Sequence, residues 1–187
     1  AWFPGEFGGQ AIAEALFGDY NPGGRLAVTF PKSVGQIPFA FPFKPGSDES
    51  SETSVYGALY PFGHGLSYTT FQYSDLAISP SKQGVQGNIS ISCTIKNIGQ
   101  REGDEVVQLY LRDEVSSVTT YTQVLRGFER ITLKPEASHT VHFELTPQEL
   151  GIWDKQMNFT VEPGMFKVMI GSSSKDIRLK GEFEIAQ

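Results

Sequence analysis

From Phe71 onward, apolar positions recur every second residue. Ile89, Ile91, Cys93 and Ile95 share one face, and Ser90, Ser92, Thr94 and Lys96 share the other. Val107, Leu109 and Leu111 oppose Gln108, Tyr110 and Arg112, while Val141, Phe143 and Leu145 oppose Thr140, His142 and Glu144. Phe166, Val168 and Ile170 alternate with Lys167 and Met169, and Leu179, Phe183 and Ile185 close the chain. Successive side chains of a strand point to opposite faces, so each run predicts a strand with one buried and one wetted face. Turns at Asn97-Ile98-Gly99, Lys134-Pro135-Glu136 and Glu162-Pro163-Gly164 separate the runs. Residues 72–187 thus predict an antiparallel β-sandwich of immunoglobulin/fibronectin-III-like size.

Ahead of Phe71 the pattern changes. Ala1-Trp2-Phe3, followed by Pro4-Gly5, suits the end of a buried strand. Gln10 to Phe17 carries Ile12, Ala15 and Leu16 at helical spacing, with Gly18 placed to cap the helix. Asn21-Pro22-Gly23-Gly24 predicts a turn, and Leu26 to Phe30 a strand stopped by Pro31. One helix and two strands cannot enclose a core, so residues 1–59 predict the C-terminal remnant of a larger α/β sandwich domain. Within it, Phe39, Phe41 and Phe43 alternate among Pro38, Pro42 and Pro45, which favours an extended edge segment. Gly46 to Ser54 is polar and acidic and predicts a surface loop. The predicted fold class is therefore mainly β: a sandwich preceded by a partial α/β segment.

Residues 60–71 join the two patterns. Pro61, Gly63 and Gly65 predict an irregular turn, and Thr69-Thr70-Phe71 then opens a strand. Tyr60, Phe62, Tyr68 and Phe71 place more aromatic surface there than a solvated linker carries, so they are predicted to pack between domains. This segment resembles the one that, in glycoside hydrolase family 3, joins the second catalytic-side domain to a fibronectin type III-like domain. Ala1-Trp2-Phe3-Pro4-Gly5 with Gly8-Gly9, Asn21-Pro22-Gly23-Gly24-Arg25-Leu26 and Thr29-Phe30-Pro31 resemble that family's second domain. Leu125-Arg126-Gly127-Phe128-Glu129, Glu162-Pro163-Gly164 and Gly171 to Ile177 resemble its terminal domain. The order and spacing of these pieces carry the resemblance, which leans towards the periplasmic bacterial β-glucosidases. It implies a parent that hydrolyses terminal β-glycosidic bonds by a retaining, two-carboxylate mechanism without a cofactor. It also implies a periplasmic or secreted location. In that family the nucleophile is an Asp of an N-terminal barrel and the acid/base a Glu upstream of the Ala1-Trp2 segment. This chain is then expected to brace upstream catalytic domains, which would be its partners, and to meet a β-glucoside or oligosaccharide through the parent alone. The alternatives are a carbohydrate-binding module and a purely structural surface module.

Composition narrows the classes. The chain has 187 residues, 39% of them hydrophobic, and a net charge of −6, which disfavours nucleic acid and anionic membranes as partners. No apolar run approaches the roughly 20 residues of a membrane span. Cys93 is the single cysteine, so neither an intrachain disulfide nor a cysteine metal site can form.

Glycoside hydrolysis needs two fixed carboxylates about 5–5.5 Å apart in a retaining enzyme. Asp48, Glu49 and Glu52 lie in the acidic loop, and Asp113, Glu114, Glu129 and Asp154 lie at strand ends or on polar faces, where solvated charge is expected. Glu6 beside a helix start would be held charged, which is wrong for a general acid. No catalytic residue is therefore expected. His139 and His142 are three apart on a strand and project to opposite faces, and His64 reads as a structural residue, so no metal site is expected. Phe39, Phe41, Phe43 and Tyr56 flank the acidic loop and are the candidates for lying near a sugar. Asn88-Ile89-Ser90 and Asn158-Phe159-Thr160 are glycosylation triplets, expected to be silent in a bacterial protein. Trp153 is expected to pack on the sandwich edge.

Overall fold

The structure, a computed structural model, describes residues 2–47 and 56–187. The acidic-loop residues Asp48, Glu49 and Glu52 lie outside these. Chain order is α1 (Gly8–Phe17), a short 3-10 helix (Val34–Gln36), β1 (Phe71–Ser79), β2 (Lys82–Gly84), β3 (Ile89–Asn97), β4 (Gly103–Asp113), β5 (Val124–Leu133), β6 (Ser138–Leu145), α2 (Pro147–Leu150), β7 (Ile152–Trp153), β8 (Phe159–Thr160), β9 (Gly164–Gly171) and β10 (Ile177–Ala186).

Two sheets face each other. One has the order β1-β3-β6 and the other β2-β10-β9-β4-β5, while β7 and β8 form a separate two-stranded ribbon. The predicted registers hold in β3, where Ile89, Ile91, Cys93 and Ile95 are all buried and pair across to Leu145, Phe143, Val141 and His139 of β6. Val107, Leu109, Val168, Ile170 and Ile185 meet them from the second sheet, and Phe166 stacks on Phe183 at 5.4 Å. Burial of this apolar stripe, at about 25 cal/mol per Å², is what drives the two sheets together. One pairing departs from the antiparallel rule: β2 runs parallel to β10, with Lys82 opposite Glu184 and an ion pair of 2.8 Å between them. That short, charged edge strand leaves little ladder open to another chain.

Ahead of β1, helix α1 forms as expected and ends on Gly18 in the left-handed conformation (φ 83°). Its stripe of Ile12 and Leu16 is exposed. Three expectations are corrected. Trp2 and Phe3 are exposed and belong to no strand; Trp2 instead tilts against Phe30 at 5.7 Å. Leu26 to Phe30 is not a regular strand. Its backbone bonds to the turn-rich segment at two places, Leu26 with Gly63 and His64, and Phe30 with Tyr60. A partner punctuated by Pro61 and Gly63 cannot extend a continuous ladder. Residues 37–43 are bends and coil instead of an extended edge.

A fourth correction concerns β4. Gln108 and Tyr110, expected on its wetted face, are as buried as Val107 and Leu109. Trp153, expected to pack on the sandwich edge, keeps over half its surface in solvent and meets Phe159 edge-on at 5.5 Å.

Candidate functional site

The outer face of β4 is covered by the segment that precedes the sandwich, and this joint holds a network of buried polar contacts. Tyr110 donates its hydroxyl to Gln108 Oε1 at 2.5 Å, and Gln108 Nε2 donates to the carbonyls of Ser172 at 2.5 Å and Gly63 at 3.3 Å. Gly63 has φ 82°, and a Cβ there would lie 2.1 Å from Gln108 Oε1, so only glycine lets the seam backbone come this close. Phe62 accepts from the amide of Ser174 at 3.0 Å. Its ring stacks on Phe41 at 4.6 Å, and Phe41 in turn meets Tyr110 edge-on at 5.8 Å. The Phe43 carbonyl accepts from the amide and hydroxyl of Thr122 at 2.8 and 3.1 Å.

A charged latch lies beside these rings. Arg25 Nη2 and Glu105 Oε2 pair at 2.8 Å, their side chains 9% and 4% exposed, and Tyr73 donates its hydroxyl to Glu105 Oε1 at 2.8 Å. Burial, reinforced by the Glu105 carboxylate, drives the Tyr73 hydroxyl far above the usual phenol range, so it stays a donor. A second set of contacts centres on Asn21. It donates to the Glu102 carbonyl at 3.0 Å and accepts from Ser67 Oγ at 3.1 Å and the Tyr68 amide at 2.8 Å. Tyr68 reaches back to the Ala15 carbonyl at 2.7 Å, Arg101 lies 5.6 Å over its ring, and Arg101 donates to the Gly18 carbonyl. Nearby, hydrogen bonds from Thr132 and then Arg130 hold Asp104 below the ordinary carboxylate range.

The predicted packing residues take different positions here. Phe62 lies in the ring stack, Phe71 is buried in the sandwich core, and Tyr68 bridges to α1. Tyr60 stacks on His64 at 5.1 Å and meets Phe30 edge-on at 6.0 Å. Phe39, Phe41 and Phe43 gather on one another, at 4.9 Å for Phe39–Phe43 and 6.3 Å for Phe41–Phe43. Tyr56 is exposed, and its carbonyl accepts from Lys32 Nζ at 2.7 Å. The structure thus brings Phe41, Phe43 and Phe62 together and leaves Tyr56 apart.

The carboxylates at strand ends and on polar faces have structural partners. Glu114 pairs with Arg112 at 3.0 Å and Lys167 at 2.8 Å, and Asp154 accepts from the amides of Gln156 and Asn158, both at 2.8 Å. Glu129 lies 3.8 Å from His139. Burial raises Asp113 above the ordinary range. Among the described residues no group of three or more His, Cys, Asp or Glu is placed to hold a metal ion. The latch of Arg25, Glu105 and Tyr73 was not anticipated from sequence. A signal for it exists in the near-continuous apolar run Val106 to Leu111, which marks a strand covered on both faces.

A two-sheet sandwich joined along β4 and its neighbouring loops to a helix-bearing segment defines a β-sandwich module joined to part of another domain. Residues 105–174 match the family described as "Fibronectin type III-like domain", and residues 1–68 match "Glycosyl hydrolase family 3 C-terminal domain". The chain is 44% identical over 196 residues to a periplasmic beta-glucosidase of Salmonella typhimurium, covering 98% of this chain and 25% of that protein. It is 43% identical over 183 residues to a beta-xylosidase of Formosa agariphila, covering 96% of this chain and 25% of that one. The crystal structure of a beta-glucosidase from Listeria innocua in complex with glucose superposes with a TM-score of 0.90 at 32% identity, over 100% of this chain and 27% of that chain. The chain belongs to glycoside hydrolase family 3, of which it carries the C-terminal domain segment and the fibronectin type III-like domain. It spans about a quarter of the length of the relatives it matches.

Proposed function

We propose that the chain is the non-catalytic C-terminal portion of a β-glucosidase and braces the domains that carry the chemistry. One observation carries this reading: a segment hydrogen-bonded to the sandwich presents Trp2, Phe3, Phe7, Leu16, Phe17, Val34 and Ile37 to solvent. So many large apolar side chains within 37 residues mark a surface that another body covers. The upstream domains of the same enzyme are the proposed cover, since the relatives are about four times longer. The proposed division is a domain remnant over 1–59, a seam over 60–71 and the sandwich over 72–187. Phe39, Phe41, Phe43 and, apart from them, Tyr56 are proposed to lie near the sugar in the assembled enzyme. A periplasmic or secreted location is proposed from the likeness to the periplasmic beta-glucosidase of Salmonella typhimurium.

The test is reconstitution. The purified chain alone is expected to leave aryl β-glucosides and β-xylosides intact. The upstream part of the parent, expressed separately, should gain β-glucosidase activity and thermal stability when the chain is added. Turnover by the chain alone that vanishes on changing one of its Asp or Glu residues would refute the reading.

A further inference from the structure

We propose that the end of the sandwich where the β4–β5 connection meets α2 and the β7–β8 ribbon is a saccharide-binding site, taking one terminal pyranose ring of a β-linked oligosaccharide. A cavity of about 270 Å³ opens there. Its floor is apolar, formed by Leu111, Leu150 and Phe166 of the core. Tyr121 and Trp153 stand on its walls, 43% and 59% exposed. Trp153 is held in place despite that exposure, because Phe159 meets its ring at 5.5 Å and Asp154 closes the ribbon by accepting from the amides of Gln156 and Asn158. A rigid exposed aromatic loses little freedom on binding.

Asp113, Arg126 and Glu149 supply the polar lining. The two carboxylates can accept from sugar hydroxyls, and the guanidinium can donate to them. A sugar ring matches this arrangement, with C–H faces for the aromatic walls and hydroxyls for the ionic groups. A wholly apolar ligand would make no use of Arg126 or of the second carboxylate oxygens of Asp113 and Glu149, whose other oxygens already accept from the Val115 amide and from Thr146, and an anion would meet two carboxylates. The other large cavities are less suited. The groove of about 800 Å³ across β9 and β10 has Arg112 and Lys167 already paired with Glu114. The joint cavity of about 230 Å³ is lined by the Arg25–Glu105 latch.

The choice of β-linked sugars rests on the function proposed above, whereas the site itself rests on the cavity. In a Trp2→Phe background Trp153 is the remaining tryptophan of the chain's two, and its fluorescence reports the site. Titration with cellobiose and laminaribiose is expected to give a saturable change with Kd on the order of 1 mM. Trp153→Ala and Tyr121→Ala should each weaken binding at least about tenfold, read by calorimetry, with the melting temperature unchanged because both side chains lie outside the core. No saturable response to either disaccharide, or binding undiminished in Trp153→Ala, would overturn the site. Equal binding of maltose would overturn its assignment to β-linked sugars. Because the readout is binding to this chain, loss in Trp153→Ala upholds the site even where the parent hydrolyses no β-glucoside.

Discussion

Arg25→Ala would leave Glu105 charged, 4% exposed and without its cation. Breaking one side of a buried pair costs about 3–5 kcal/mol, mostly from the orphaned partner. The single variant should therefore melt well below the parent protein, and Arg25→Met with Glu105→Gln should recover much of the loss. Chemical denaturation of the three variants checks this; a double variant no better than Arg25→Ala would show that the latch does not act as a pair. Phe62 is half-buried in the ring stack, so Phe62→Ala should cost about 2–3 kcal/mol, below the range for a fully buried Phe. In the full-length enzyme, its turnover per folded molecule should stay within a few-fold. Normal melting with lost turnover would instead place Phe62 on the substrate. Asp104 gives a pH-dependent case, because its carboxylate accepts hydrogen bonds from Thr132 and then Arg130. With its folded value below the unfolded one, Asp104 stabilises the fold above the ordinary carboxylate value of 3.8 and loses that contribution as pH falls through its folded value. Asp104→Asn should be less stable than wild type near pH 7, and the gap should narrow as pH falls below 3.8; a gap that stays constant there would mean the loss is steric.

At the level of elements, protection should divide at the joint. Helix α1 exposes its apolar stripe, whereas β3 is buried along its whole alternation. Hydrogen exchange on the chain should find residues 12–16 opening far more readily than 89–95, and equal protection would contradict the reading of 1–59 as a remnant. These two elements were also the most legible from sequence. Helix α1 shows 3.6-residue spacing with a glycine stop, and β3 shows four apolar residues at period two. β4 was misread because Gln108 and Tyr110 look solvent-facing by residue type. Their burial depends on Gly63, 45 positions before Gln108, and on Phe41, 69 positions before Tyr110. Leu26 to Phe30 failed in the opposite sense, having strand-forming residues but no regular partner. Pattern along a chain reports one element's preference and says nothing about which backbone arrives opposite it.

For the whole molecule, the sequence places the natural dividing line at 60–71, where period and composition both change. The fold places its contacts elsewhere. Asn21, Arg25 and Phe41 lie before that line, and their partners Glu102, Glu105 and Tyr110 lie after it. Anyone recombining this protein with a relative would choose the seam as the crossover point, since it resembles a linker. A chimera spliced there would draw the two halves of each polar contact from different parents and would join a cation, a carboxylate and a ring stack that had not been matched. Splicing ahead of Asn21 keeps the three pairs within one parent. The second kind of chimera should melt near the better parent and the first below both, so the unit that keeps these three pairs together begins some fifty residues before the sandwich does.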